Sequence, residues 1–229
     1  MTPKELKEFD PLDFSRLDAM IAAAPESVPP TPEEIEAAKI EAQRKALAAR
    51  VFRAIGPRTG WPARYLEAVS APPHGSQWLA AMEVAEETVR KNGIAVFYGL
   101  RGTGKTRMAA ELSVIAGDSR YRTAMRFFLD VRATFRRDSE LSEKDVLDDL
   151  TETPLLVLDE IQERGETSFE DRLLTHLIDA RYGAMRPTIM IANLTKKELA
   201  STLGPSIVSR AQENGKSIEF IWDSYRAKP

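Results

Sequence analysis

Gly99-Leu100-Arg101-Gly102-Thr103-Gly104-Lys105-Thr106 decides how this chain is read. The stretch fits G-x-x-x-x-G-K-[ST] at every fixed position, with a short apolar run before it (94–98) and a helical pattern after it (104–116). Glycines let consecutive backbone N–H groups curl around a phosphate without side-chain clash. The helix that follows turns its positive end toward that anion. Gly99, Arg101, Gly102, Thr103, Gly104, Lys105 and Thr106 are therefore the candidate nucleotide-binding residues. Lys105 would reach the β- and γ-phosphates, and the Thr106 hydroxyl would be a Mg²⁺ ligand. ATP and Mg²⁺ are the implied cofactors.

About fifty residues on, Leu155-Leu156-Val157-Leu158-Asp159-Glu160 is an apolar strand ending in two acids. After a phosphate loop, the first acid completes the magnesium shell. The second can hold and activate a water as a general base. Glu160 thus favours a hydrolase, because a small-molecule kinase gains nothing from a base for water. Asn193 ends the run TIMIAN and would sit beside the γ-phosphate to orient that water; a helix cap before Lys196 is the plainer reading. Arg210 lies too far along the chain to belong to the loop. It is either a surface arginine or a finger that reaches the γ-phosphate of a neighbouring copy in a ring or spiral.

The remaining pattern predicts strands at 94–98, 124–129, 154–159, 188–193 and 217–222. Helices are predicted over 76–92, 104–116, 130–137, 142–150 and 169–182, with a helix pair over 196–211. Alternating strands and helices, with strands apolar on both faces, predict an α/β fold: a parallel sheet sandwiched by helices. The chain divides into a helical N-terminal extension (1–55), a linker (56–75) anchored by Trp61 and Tyr65, and a core (76–229). Residues 1–30 are acidic and proline-rich, and read as a disordered tail with a transient helix or as a partner-docking helix. Thr31-Pro32-Glu33-Glu34 starts the next helix, with Glu34 completing a capping box. The residues after Asn193 predict a helix pair and a strand but no C-terminal helical lid domain, so a neighbouring copy would complete the site.

The 229 residues are 43% apolar and 29% charged, ordinary for a globular protein that can bury one sizeable core. Net charge is -3, which excludes a globally basic nucleic-acid binder but not a local basic patch. The absence of cysteine removes disulfides, thiol nucleophiles and cysteine zinc sites. Histidine occurs only at His74 and His176, too few for a multi-histidine metal centre. No run approaches 18 apolar residues and no signal-peptide pattern opens the chain, so a cytoplasmic protein without membrane contact is expected. One local basic patch stands out at 118–138, where six arginines meet three aspartates and Phe127, Phe128 and Phe135 interleave. Phosphate neutralisation and base stacking are what single-stranded nucleic acid needs. Phe135, Phe169, Arg132 and Arg136 are the candidate single-stranded DNA contacts, against the alternative of a solvated helix face with core phenylalanines.

With these segments in view, residues 56–226 resemble the DnaC/IstB group of AAA+ ATPases, and within it the DnaC-like replicative helicase loaders more than the IstB-like transposition helpers. GLRGTGKT, LLVLDEI, IDARYGAMRPTIMIAN, LGPSIVSR and FIWDSYR carry the resemblance. It implies a RecA-like AAA+ core, ATP and Mg²⁺, single-stranded DNA contact, self-association, and a hexameric replicative helicase bound through residues 1–55. It makes Asn193 a sensor, Arg210 the arginine finger and Arg226 a second nucleotide sensor. Ser209 precedes Arg210 where the family commonly has an acid. The implied activity is ATP-dependent helicase loading. A transposition-helper ATPase and a P-loop small-molecule kinase remain the alternatives.

Overall fold

The computed structural model describes residues 59–68, 75–165 and 167–225, together with some helical positions between 31 and 46. The chain divides into two units, Met1–Glu41 and Ala42–Pro229. In the first, the Thr31 carbonyl accepts the Ile35 N–H at 2.9 Å, the start expected for that helix. Residues 1–30 and Glu34 lie outside the described residues.

In the second unit the element order is α1 (Ala63–Ala68), α2 (Ser76–Arg90), β1 (Ile94–Gly99), α3 (Lys105–Ala116), β2 (Ser119–Thr123), α4 (Ala124–Ala133), α5 (Glu143–Glu152), β3 (Leu155–Asp159), α6 (Ser168–Gly183), β4 (Thr188–Ile191), α7 (Lys196–Glu213) and β5 (Gly215–Phe220). The five strands form one sheet in the order β2-β3-β4-β1-β5, and every pairing is parallel. The reason is visible in the strands. Ile94, Val96 and Tyr98 pack with Leu156, Leu158 and Met190 under α4–α7. The alternating set, Ala95, Phe97, Leu155, Val157, Ile189 and Ile191, packs under α2, α3 and Trp61. A strand buried on both faces needs helices on both faces, and the parallel crossovers supply them. Because all strands run the same way, Gly99, Asp159 and the residues after Ile191 arrive at one edge, the carboxyl end, where open α/β sheets bind ligands.

The second strand departs from expectation. Residues 124–129 are helical, and β2 is the polar run before them. Thr123 Oγ1 caps the helix by accepting from the Arg126 N–H at 3.2 Å. Ala124, Phe127, Phe128 and Val131 are buried at helical spacing. The paired phenylalanines mimic a strand when read alone, whereas β2 is an edge strand whose Ser119 and Tyr121 alone face inward. Phe127 and Phe128 are therefore core, and Phe135 falls in the turn after α4 rather than within a helix. The expected helix pair is present within α7, its two helices separated at Gly204, whose φ of 76° and ψ of 163° are not helical, ahead of Pro205.

One buried charge organises the helical face. Arg181 of α6 is fully buried, and its Nη1 donates to the carbonyls of Leu150 at 2.6 Å, Thr151 at 3.1 Å and Thr153 at 2.8 Å. Nη2 donates to the Pro187 carbonyl at 2.6 Å and Nε to Thr188 Oγ1 at 2.9 Å. The guanidinium thus caps the carbonyl end of α5 and ties it to the start of β4. Burial, with Arg186 nearby, pushes it down to about 9, still charged at neutral pH. Arg181→Met would orphan these carbonyls. The expected loss is on the order of 3–5 kcal/mol, or a fall in Tm of about 10 °C, measured by thermal unfolding.

Candidate nucleotide site

The site is built on the turn between β1 and α3. Gly99 ends β1 at φ 120°, and a Cβ there would lie 2.5 Å from the Phe220 carbonyl oxygen, so no other residue fits. Gly102 and Gly104 also hold positive φ, 82° and 88°. The Thr103 hydroxyl closes the turn by donating to the Leu100 carbonyl at 2.9 Å. At the start of α3, Lys105 is buried, and its Nζ donates to the carbonyls of Gly99 at 2.9 Å and Leu100 at 2.6 Å. The first-turn N–H groups of α3 have no intrahelical acceptor, which suits them to an anion.

The acid strand meets this turn directly. Thr106 Oγ1 donates to Asp159 Oδ2 at 2.7 Å. The Glu160 N–H donates to Asp159 Oδ1 at 2.7 Å, and Tyr121 Oη donates to Oδ2 at 3.1 Å. Burial raises the Asp159 carboxyl above its ordinary range, opposed by these hydrogen bonds and the Lys105 charge. Glu160 takes φ 55°, a left-handed conformation that a non-glycine residue adopts only at a cost. That turn carries its carboxylate out of the strand's alternation and into the same cavity. Desolvation and the adjacent Asp159 charge raise its pKa. Two hard oxygen donors, Thr106 Oγ1 and Asp159 Oδ2, held together beside a glycine cradle, fit a magnesium ion next to a phosphate.

The cavity they share measures about 500 Å³, within the range of small-molecule sites. Arg101, Gly102, Thr103, Gly104, Lys105, Thr106, Asp159, Glu160 and Asn193 all line it. Asn193 lies two residues past β4, with its N–H donating to Gln162 Oε1 at 3.0 Å. Arg101 pairs with Glu163 at 3.2 Å at the rim. Arg210 is not among the described residues lining the cavity. It is held on the helical face by Asp179 of α6, Nε to Oδ1 at 2.9 Å, and by Ser206 Oγ at 2.6 Å. The acid paired with Arg210 is thus on α6, and position 209 is a serine. Arg226 lies outside the described residues.

Several residues of the site carried no readable role in the sequence. Trp222 Nε1 donates to the Thr103 carbonyl at 2.9 Å, and the Tyr225 N–H donates to the Gly102 carbonyl at 2.9 Å. The tail after β5 therefore lies against the loop; only its WDSYR pattern hinted at this. Tyr121 and Arg64, which line the cavity, and Gln162, which accepts from the Asn193 N–H, had no signal at all.

The fold can be compared with solved structures. A crystal structure of the DnaC helicase loader superposes with a TM-score of 0.59 at 19% identity, covering 69% of this chain and 99% of that one. A DnaA replication initiator bound to AMPPCP and single-stranded DNA superposes with a TM-score of 0.57 at 20% identity, covering 68% and 50%. The fold is the AAA+ P-loop fold. The amino-acid sequence extends the likeness. It is 31% identical over 152 residues to the replicative helicase loader DnaC of Buchnera aphidicola (from Acyrthosiphon pisum), covering 64% of this chain and 62% of that protein. It is also 31% identical over 137 residues to DnaC of Escherichia coli K12, covering 58% and 56%. The chain thus resembles the DnaC-type loaders, and it spans less than two thirds of the length of the curated relatives it matches. No family model matches it.

Four of the six arginines of the 118–138 stretch are paired with acids of this chain. Arg120 pairs with Asp149, Arg122 and Arg126 with Asp130, and Arg132 with buried Glu170 at 2.7 Å. Phe135 is 61% exposed, and its ring lies 6.0 Å from that of Phe169, which packs partly on the core. Three of the four candidate DNA contacts, Arg132, Phe135 and Phe169, thus meet where α4 ends against the start of α6. Arg136 is exposed in the turn beyond.

Proposed function

We propose that this chain is an ATP-dependent loader of a hexameric replicative helicase, coupling ATP hydrolysis to the binding and release of single-stranded DNA. The observation that supports it most is the phosphate loop braced by Trp222 and Tyr225 and faced by Asp159 and Glu160, in a chain whose sequence resembles DnaC-named loaders. Lys105 and the loop amides hold the terminal phosphates. Thr106 and Asp159 hold magnesium, which when bound neutralises charge on the phosphate oxygens. Glu160 takes the proton of the attacking water, and Asn193 orients that water. Arg210 serves the site of an adjoining copy in a ring or spiral, and Arg226 contacts the nucleotide. Residues 1–55 grip the helicase, the linker through 75 joins them to the core, and single-stranded DNA lies on Phe135, Phe169, Arg132 and Arg136.

Co-purification of the full chain with a hexameric replicative helicase tests the partner. A stable complex that a chain lacking residues 1–55 fails to form supports the reading. Binding to a transposase and duplex DNA, with no helicase complex, replaces it with a transposition-helper role. For the DNA face, Phe135→Ala removes an exposed ring. Single-strand affinity should fall by about 1–3 kcal/mol in a fluorescence-anisotropy titration, with Tm unchanged. An unaltered affinity places the strand elsewhere.

A further inference from the structure

Three observations converge on β2. Residues 60 and 61 lie against this strand. Thr59 is buried, and Gly60, at φ +77°, lies so close that a Cβ there would sit 2.6 Å from the Tyr121 carbonyl oxygen. Trp61 then stacks on Tyr121, ring centroids 4.5 Å apart at 33°, while its Nε1 donates to Ser119 Oγ at 3.1 Å. Tyr121 Oη donates onward to Asp159 Oδ2 at 3.1 Å, the oxygen that also accepts from Thr106. Neither Trp61 nor Tyr121 belongs to the phosphate loop or the acid strand, and the chemistry proposed above uses neither.

We infer that Tyr121 is a positioning residue for Asp159, and that the Trp61 segment, residues 59–62, holds Tyr121 in register. This rests on the reading of Asp159 as a magnesium ligand. A carboxylate whose Oδ2 accepts two side-chain hydroxyls and whose Oδ1 accepts a backbone N–H is fixed in rotation, so its metal-facing lone pairs point one way. Partners of this kind orient a ligating carboxylate, and losing one costs about 10–100-fold in metal affinity. Among the described residues the Tyr121 ring stacks on Trp61, whose own indole is pinned to Ser119. Pro62 at the end of that segment, and Arg64 and Tyr65 of α1 just beyond, reach the wall of the cavity.

The test uses the full chain and AMPPCP, with affinity measured by competition against a fluorescent nucleotide in EDTA and in Mg²⁺. Tyr121→Phe keeps the ring and deletes the hydroxyl. Affinity in EDTA should match wild type, while the gain in affinity on adding Mg²⁺ shrinks about 10-fold or more. Trp61→Leu should shrink the gain in the same direction, and Trp61→Phe, which keeps a ring on Tyr121, should restore most of it. If Trp61→Leu does not fold, Tyr121→Phe and Trp61→Phe decide the matter. A Tyr121→Phe protein with the full Mg²⁺-dependent gain overturns the inference. A wild-type protein that binds no AMPPCP overturns the nucleotide reading beneath it instead.

Discussion

Lys105→Ala abolishes nucleotide binding. The ammonium is buried at the foot of the phosphate loop, donating to the Gly99 and Leu100 carbonyls at 2.9 and 2.6 Å. These bonds hold it within reach of whatever the loop encloses. A cation on a phosphate makes charge-assisted hydrogen bonds worth about 1.5–3 kcal/mol each. Losing two of them lowers affinity by roughly 10²–10⁴-fold. Gly99 is half-buried and Leu100 exposed, so water can replace the lost donor at the two carbonyls it leaves. Tm should therefore fall by only a few degrees while ATP binding, followed by calorimetry, disappears. Wild-type affinity in the variant would mean that the loop is not the phosphate site.

Arg210→Ala should leave nucleotide affinity intact and lower turnover by about 10³-fold or more. Arg210 is absent from the described lining of its own cavity and is braced on the helical face by Asp179 and Ser206. On the reading proposed above, a guanidinium held in this way serves the site of an adjoining copy. Glu160→Gln, by contrast, silences a chain's own site but keeps its Arg210. Neither variant alone should turn over ATP. Mixed at equal concentration, they should recover a substantial fraction of the activity, because some interfaces then pair an intact Glu160 with an intact Arg210. Two inactive variants that stay inactive on mixing would remove the role in trans.

Much of this site could be read in advance because its signals are local. The phosphate loop, Thr106, Asp159 and Glu160 are named by spacing along a few residues, and the helices by periodicity. The misreading of 124–129 had a physical cause. Phe127 and Phe128 are equally at home in a buried strand or on the buried side of a helix, and the Thr123 cap that decides between them is weak when read alone. The contacts that brace the loop could not be read, because they join distant positions. Trp222 and Thr103 stand 119 residues apart. Tyr121 reaches Asp159 only because β2 and β3 pair in the register that sets Thr123 beside Asp159. Glu160's positive φ is likewise a product of the fold: an acid after a strand gives no hint that the backbone must turn left-handed to present it.

The most direct measurement is ATP turnover by the full chain in Mg²⁺, alone, with single-stranded DNA, and with DNA and a hexameric replicative helicase together. Turnover should be slow alone, rise with single-stranded DNA, and change again when the helicase joins the complex. Turnover indifferent to both, or a γ-phosphate transferred to a small-molecule acceptor instead of water, would contradict the account.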